Sequence, residues 1–374
     1  MAHQNFFEKH SRLVSFVLIL AIFVGTDLLF GTVYKCIFGQ SWGDASLNRA
    51  IIGEKAYRIH SNVYHHGLAP NVDLRGSWGV GRYQLATDSL GFKNDAPKKI
   101  PLESNNHRIL FIGDSFTEGV GISYANTFAG MIAKDLAKDH VEILNAAVVS
   151  YSPIIYWMKI KYLIEDVKLK FDEVVVFLDL SDLRDEDGDN MELSLKNDTK
   201  VDEHSAGFLH NNSIALLFIY HSFIRNLDDV LKGFFISQSH GRLNKKNILW
   251  SFDPENFKIY GEVGLARLEK NMDRLRILLK EHDIPLTLAV YPWPDQIVRN
   301  DLDPIHVRFW QEWCRKHNIT FQNYFPIFIK AENTKKDHAR ILARYFIAGD
   351  AHWNKEGHRL IADQFISFYK TRNK

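Results

Sequence analysis

Two short polar clusters hold residue types suited to acyl chemistry. Gly113-Asp114-Ser115 closes the apolar run "RILFI", and Asp350-Ala351-His352 stands just ahead of the last amphipathic stretch. A serine hydroxyl is too weakly acidic to attack a carbonyl unaided, so a base must take its proton. An imidazole titrates near neutral pH and can serve. A carboxylate two residues before it can bond the other ring nitrogen, fixing the tautomer and stabilising the imidazolium. Ser115, at a strand-to-helix turn, also offers its backbone N–H to a developing oxyanion. The chemistry is nucleophilic acyl transfer, with Ser115 as nucleophile, His352 as base and Asp350 as orienting acid. On its own, Gly-Asp-Ser after a strand is as much a helix cap as a nucleophile. The fold must bring the two clusters together.

The pattern from Arg108 onward does so. Ile109 to Ile112, Val141 to Leu144, Val174 to Leu178, "PLTLAVYP" from Pro285 and Ile319 to Tyr324 read as short buried strands. Between them Phe128, Ile132 and Leu136, then Leu265, Leu268, Met272, Leu275 and Leu279, recur at helical spacing. A last helix starts near Asn354, a suitable N-cap, and buries Ile361, Phe365 and Phe368. This alternation predicts an α/β class fold, a parallel sheet covered on both faces. Ligands of such sheets sit outside the carboxyl ends of the strands. Four polar clusters fall there: Gly113-Asp114-Ser115, Asn145 to Ser150, Asp179 to Asp182, and Asp350 to His352.

At these blocks the sequence resembles a known family. "GDSFTEG" is similar to the first block of the SGNH, or GDSL-type, hydrolase superfamily, and "GDAHWNKEGH" to its last block in the D-x-H form. "NAAVVSYSP" and "LDLSDLRDE" fall in order where the second and third blocks belong. The similarity runs from about Arg108 to the C-terminus, the insertion described below excluded. An apolar anchor, then "SLGFKND" shortly before the serine, resembles the SGNH proteins of bacterial envelope and exopolysaccharide systems, alginate O-acetyltransferase-like proteins included. The resemblance implies a flavodoxin-like three-layer α/β/α sandwich with a five-stranded parallel sheet. It implies ester hydrolysis or acyl transfer through Ser115, His352 and Asp350, without a cofactor or metal. It also implies an oxyanion hole from the backbone N–H of Ser115, that of Ser150 where the family has glycine, and Ser181 where the family has an asparagine side chain. A backbone N–H survives the first change. The shorter serine hydroxyl weakens the second, and losing one such donor costs about 10²–10³ in rate. Asn145 could fill part of that role, and Asn145, Asp182 and Trp293 are candidate substrate contacts. Trp293, in "YPWPDQ", could stack on a sugar or pack in the core.

The rest of the chain sets where this chemistry would act. Leu13 to Tyr34 is an apolar run with a single charge, long enough to cross a hydrocarbon core. It is too long for the core of a cleaved signal peptide, and no A-x-A-like site follows. The layout expected is a short cytoplasmic N-terminus (1–12), a transmembrane signal anchor (13–34), an irregular wrapping segment (35–107) and the catalytic domain (108–374), with an insertion at about 183–260. The domain would lie outside a bacterial inner membrane, in the periplasm. Asp27, inside the span, costs about 2.5–3.5 kcal/mol there, which suggests an integral-membrane partner or a shallow, solvated position. The insertion carries "DEDGDN" (Asp185–Asn190) and the apolar run "SIALLFIYHSFI" from Ser213, read as a lid or membrane-facing patch. The former is not a calcium loop, because its sixth position, Asn190, is not glycine and its twelfth, Lys196, is not acidic. His65 and His66 suit a turn better than a metal site. His358, on the first turn of the last helix, suits a structural partner. Cys36 and Cys314 have no disulfide or metal-ligand spacing. A net charge of +1 gives no electrostatic case for nucleic acid. Two function classes stand: an acyl-ester hydrolase or O-acyltransferase on envelope sugars, acetyl favoured, and a non-catalytic carbohydrate-binding or scaffolding protein of the same fold.

Overall fold

The computed structural model describes residues 10–38, 57–78, 81–185, 213, 215, 248–331, 338–348 and 350–372. The chain forms two units, Met1–Lys55 with Asn197–Leu231, and Ala56–Lys196 with Lys232–Lys374.

In the smaller unit, helix α1 (Ser11–Phe38) contains a stretch, Ser11–Tyr34, of mean hydropathy 2.5. It is long and apolar enough to cross a membrane, and its large apolar side chains, Phe16, Ile19 and Ile22 among them, are exposed. The Asp27 carboxylate, for which the sequence left an integral-membrane partner or a shallow, solvated position open, has partners within the chain. It accepts from the Ser213 hydroxyl and, at 3.1 Å, from the Ala215 N–H. Of the insertion, residues 186–212, 214 and 216–247 lie outside the described residues, and with them "DEDGDN" beyond Asp185 and all of the apolar run but Ser213 and Ala215.

The larger unit corrects one expectation at once. The segment before the serine block, read as irregular, holds two small antiparallel sheets. One pairs β1 (Arg58–Ser61) with β2 (His65–Leu68); the other joins β3 (Asp73–Trp78), β4 (Gly81–Thr87) and β5 (Lys93–Asn94). Along β4, Arg82 and Gln84 face out while Tyr83 and Leu85 are buried, an alternation too short to stand out among the surrounding turn residues.

The centre is a five-stranded parallel sheet of β6 (His107–Gly113), β7 (Val141–Asn145), β8 (Glu173–Leu178), β9 (Leu286–Val290) and β10 (Thr320–Asn323). The order is β10-β9-β8-β6-β7. β6, β8 and β9 are buried on both faces, which is why they read as unbroken apolar runs rather than alternating ones. The order reverses at β6, between β7 and β8, and in such sheets the ligand crevice opens at that reversal.

Helices cover both faces. After the single turn α2 (Ser115–Glu118) come α3 (Phe128–Leu136), α4 (Pro153–Glu165), α5 (Glu262–Glu281), α6 (Ile305–His317) and α7 (Lys355–Arg372). α3 packs on α7, and α4 on α5. The stripe Leu265, Leu268, Met272, Leu275 and Leu279 is buried, as its spacing requires. Helical structure begins before that stripe, because a π-helical turn, Phe257–Gly261, runs into α5. Asn354 caps α7, its Oδ1 accepting from Glu356 N at 2.9 Å and Gly357 N at 3.2 Å.

Candidate active site

Gly113 ends β6 where the chain turns sharply into α2. A Cβ there would lie 2.4 Å from Thr117 Oγ1 and 2.8 Å from the Phe177 carbonyl oxygen, so glycine alone lets the turn close against β8. Asp114 caps the turn, its Oδ1 accepting from Phe116 N–H at 2.9 Å. Ser115, the next residue, is presented at the carboxyl edge of the sheet with 9% of its surface exposed.

The second cluster arrives on the loop before α7. Trp353, fully buried against Phe116, Phe128, Tyr291 and Phe328, pins that loop to the core. The neighbouring His352 is thereby held at the rim. Its Nε2 lies 2.7 Å from Ser115 Oγ, and its Nδ1 lies 2.7 Å from Asp350 Oδ1. The carboxylate only accepts, so Nδ1 carries the proton and Nε2 offers its lone pair to the serine hydroxyl. Ser115 Oγ is also 3.4 Å from Asp114 Oδ2, a much longer approach. Phe116 packs on the imidazole at 4.7 Å, and Trp78 meets it edge-on at 5.2 Å. The three residues singled out by the sequence thus meet in the geometry general-base activation of a serine requires.

Trp78, at the end of β3, was not legible as part of this site. Its indole N–H donates to Asp350 Oδ2 at 2.5 Å. Burial pushes the Asp350 carboxyl up, but the hydrogen bond and charge of His352, with the Trp78 N–H, outweigh it and hold the group at about 2. Asp350 therefore stays ionised wherever an imidazole can act as a base. Because the folded value lies below the ordinary 3.8, its stabilisation is present above that value and is lost as pH falls through about 2. Trp78→Phe keeps the edge contact and removes the donor. It is expected to lower kcat about tenfold with KM within about twofold, the size of one hydrogen bond to a charged group. Acid unfolding should also begin at a higher pH, which circular dichroism between pH 5 and 2 would check.

The three candidate substrate contacts are buried and hydrogen-bonded within the protein. Asn145 is buried, donating from Nδ2 to the Thr117 carbonyl at 2.9 Å and accepting from Ala147 N–H at 3.3 Å. It ties β7 to α2. Asp182 is fully buried and accepts from Tyr156 O–H at 3.0 Å and Asp179 N–H at 3.2 Å. Trp293 is buried against Phe116, with its indole N–H on Asp179 Oδ2 at 2.8 Å. Its ring serves the core. Polar types at strand ends look alike in sequence whether they face a ligand or brace the turn behind one.

Behind the serine, Asp114, Asp179 and Asp182 lie with their carboxylates within 4.8 Å of one another, all buried. Burial, with the charge of Asp179, pushes the Asp114 and Asp182 carboxyls well up. The O–H and N–H donors of Tyr291, Tyr156 and Trp293 complete the shell of the cluster. Ser181, offered as the third oxyanion donor, belongs to this shell through its backbone, its N–H donating to Asp179 Oδ1.

Ser150 takes a left-handed conformation, φ +60°, the backbone state glycine adopts most readily. Its turn is braced from two sides. Glu118, fully buried, accepts from Val149 N–H at 2.8 Å while forming a two-pronged ion pair with Arg58 at 3.1 and 3.2 Å. The loop after α2 is braced in turn by Lys93, whose buried Nζ donates to the Gly119 and Ile122 carbonyls at 2.5 and 2.7 Å. Burial pushes Lys93 down to about 7. That gives "SLGFKND" a structural task. His358 is also structural. It is buried, accepts from Phe128 N–H at 3.3 Å, and is pushed down to about 3 by burial.

No family model matches the chain, and no curated protein does. Among solved structures, it superposes on a protein assigned to the lipolytic G-D-S-L family from Desulfitobacterium hafniense at 14% identity and TM-score 0.39, covering 70% of this chain and 99% of that one. An acetylxylan esterase from Geobacillus stearothermophilus gives 13% identity and TM-score 0.39 over 72% of this chain and 95% of that one. An esterase from a Pseudoalteromonas species gives 12% identity and TM-score 0.37 over 72% and 100%. What carries the likeness to the SGNH, or GDSL-type, hydrolases is therefore the serine block and the D-x-H block meeting at one rim of the sheet, rather than overall superposition.

Proposed function

We propose that this chain is a serine-dependent acyl-ester hydrolase or O-acyltransferase of the SGNH type, acting through an acyl-enzyme on Ser115. The observation that carries the reading is the unbroken chain Ser115 Oγ to His352 Nε2 and His352 Nδ1 to Asp350 Oδ1, each contact 2.7 Å. Ser115 Oγ attacks the ester carbonyl carbon while its proton passes to His352 Nε2. Asp350 stabilises the imidazolium, and the Ser115 and Ser150 N–H groups receive the oxyanion. Collapse breaks the ester bond, and His352 returns the proton to the leaving alkoxide. Water or a sugar hydroxyl then attacks the acyl carbon while giving its proton to His352, and the imidazolium passes that proton to Ser115 Oγ as the acyl–serine bond breaks.

An acetyl group on an envelope or exopolysaccharide sugar is the substrate favoured by the sequence resemblance. The anchor-length helix α1 supports a place at the bacterial inner membrane, with the N-terminus in the cytoplasm and the larger unit outside it. A fluorophosphonate probe tests the enzyme reading. Mass spectrometry of the full-length protein is expected to find the adduct on Ser115, and an unlabelled, folded protein would leave the scaffolding alternative. Incubation with an acetyl-ester donor and oligosaccharide acceptors then separates the two enzyme types. Acetylated sugar marks a transferase, and free acetate alone marks a hydrolase.

A further inference from the structure

The β1–β2 hairpin, upstream of every block that resembles the SGNH family, reaches the turn that carries Ser150. His66 Nε2 lies 2.7 Å from the Val149 carbonyl oxygen. That oxygen can only accept, so Nε2 carries the proton, and in the neutral ring Nδ1 is left as an acceptor. His65 Nδ1, 2.5 Å away, supplies the matching donor. The His66 ring is further fixed by Tyr151, which meets it edge-on at 4.9 Å and donates its O–H to the His66 carbonyl at 2.5 Å. Burial pushes His66 down to about 4, so it is neutral across the range where a serine–imidazole pair works.

The carbonyl of Val149 and the N–H of Ser150 are the two ends of one peptide group. Donation to the carbonyl end draws electron density towards the oxygen and makes the N–H a stronger donor. It also fixes the plane in which that N–H points. The preceding peptide is held by Glu118 through Val149 N–H. Ser150 itself is exposed, and its N–H has no acceptor among the described residues.

We infer that His66 is a positioning residue for oxyanion stabilisation, aiming and polarising the Ser150 N–H through the Val149 carbonyl. This inference rests on the reading of Ser115 as nucleophile and of Ser150 N–H as an oxyanion donor. It gives the N-terminal hairpin a part in the reaction.

Two substitutions separate positioning from filling space. His66→Phe keeps the ring volume and the edge contact with Tyr151 but removes the donor. His66→Gln loses the ring and keeps an N–H at nearly the same reach. The readout is the second-order rate of fluorophosphonate labelling of the full-length protein in detergent, with circular dichroism confirming that each variant folds. A complete oxyanion donor is worth about 10²–10³ in rate, so the phenylalanine variant is expected to label about 10- to 100-fold more slowly. The glutamine variant should stay within about threefold of the parent, an expectation that follows from its retained donor. A phenylalanine variant labelling at the parental rate, or a glutamine variant as slow as it, would overturn the inference. Where phenylalanine does not fold, His66→Met, apolar and adaptable in shape, takes its place. A parent protein that is not labelled at Ser115 removes the underlying reading, and this inference with it. A labelled parent with an unaffected donor-less variant removes this inference alone.

Discussion

Ser115→Ala is expected to abolish fluorophosphonate labelling and to lower kcat for an acetyl ester by about 10⁴–10⁶-fold, with KM little changed. The size follows from the geometry. The hydroxyl is the atom that bonds to the acyl carbon, and His352 Nε2, 2.7 Å away, has no proton to accept without it. The loss should not compound. Once the nucleophile is gone the base has no role, so Ser115→Ala combined with His352→Ala should be scarcely slower than either variant alone. Asp350→Asn leaves His352 in place with the wrong tautomer and is expected to cost about 10⁴ in kcat. Removing one hydroxyl from a residue at the sheet's edge leaves the melting temperature near the parental value. A variant that keeps even a tenth of the parental kcat would show that ester cleavage takes place elsewhere on the chain.

The path from sequence to this site was uneven for physical reasons. The five strands were legible because β6, β8 and β9 are buried on both faces and so read as unbroken apolar runs. Ser115, Asp350 and His352 were legible because strand order alone returns them to one rim. Trp78 was not. Its contact with Asp350 spans 272 residues, and nothing in the composition around it distinguishes a tryptophan that holds a carboxylate from one that fills a core. Ser150 stands in the sequence where the family has glycine, but only the backbone shows that a serine has taken the left-handed state. The internal partners of Asn145, Asp182 and Trp293 were not legible for a related reason. The residues that brace a catalytic turn and those that touch a ligand share types and neighbourhoods, so residue type and position along the chain do not divide them. Glu118 was in view inside "GDSFTEG", and its charge, four residues after a buried cap, was the overlooked signal of a partner that must lie elsewhere.

That partner makes Glu118→Ala the substitution with the largest expected effect on stability. Burial pushes the Glu118 carboxyl up, but the charge and hydrogen bonds of Arg58, the charge of Lys93 and the Val149 N–H outweigh it and hold the group below its ordinary value. The stabilisation is therefore present above the ordinary glutamate value and is lost as pH falls through the lower, folded one. Truncation leaves Arg58, whose side chain is only 18% exposed, with no counter-charge. A guanidinium cannot shed its proton to escape, whereas Lys93, already at about 7, can. Breaking one side of a buried pair costs about 3–5 kcal/mol, so the larger unit should melt on the order of 10 °C lower. Replacing both partners by apolar residues is far cheaper than removing one, so Arg58→Met with Glu118→Leu should recover most of that loss. Glu118→Gln divides the two tasks of the side chain. It keeps an oxygen for Val149 N–H and loses the charge, so it should melt low yet retain more activity than Glu118→Ala, in which the turn carrying Ser150 is freed as well. Thermal melts paired with labelling rates at a temperature where the parent and all three variants are folded would test this. An alanine variant melting within about 2 °C of the parent would mean that the Arg58–Glu118 pair contributes no more than a surface bridge.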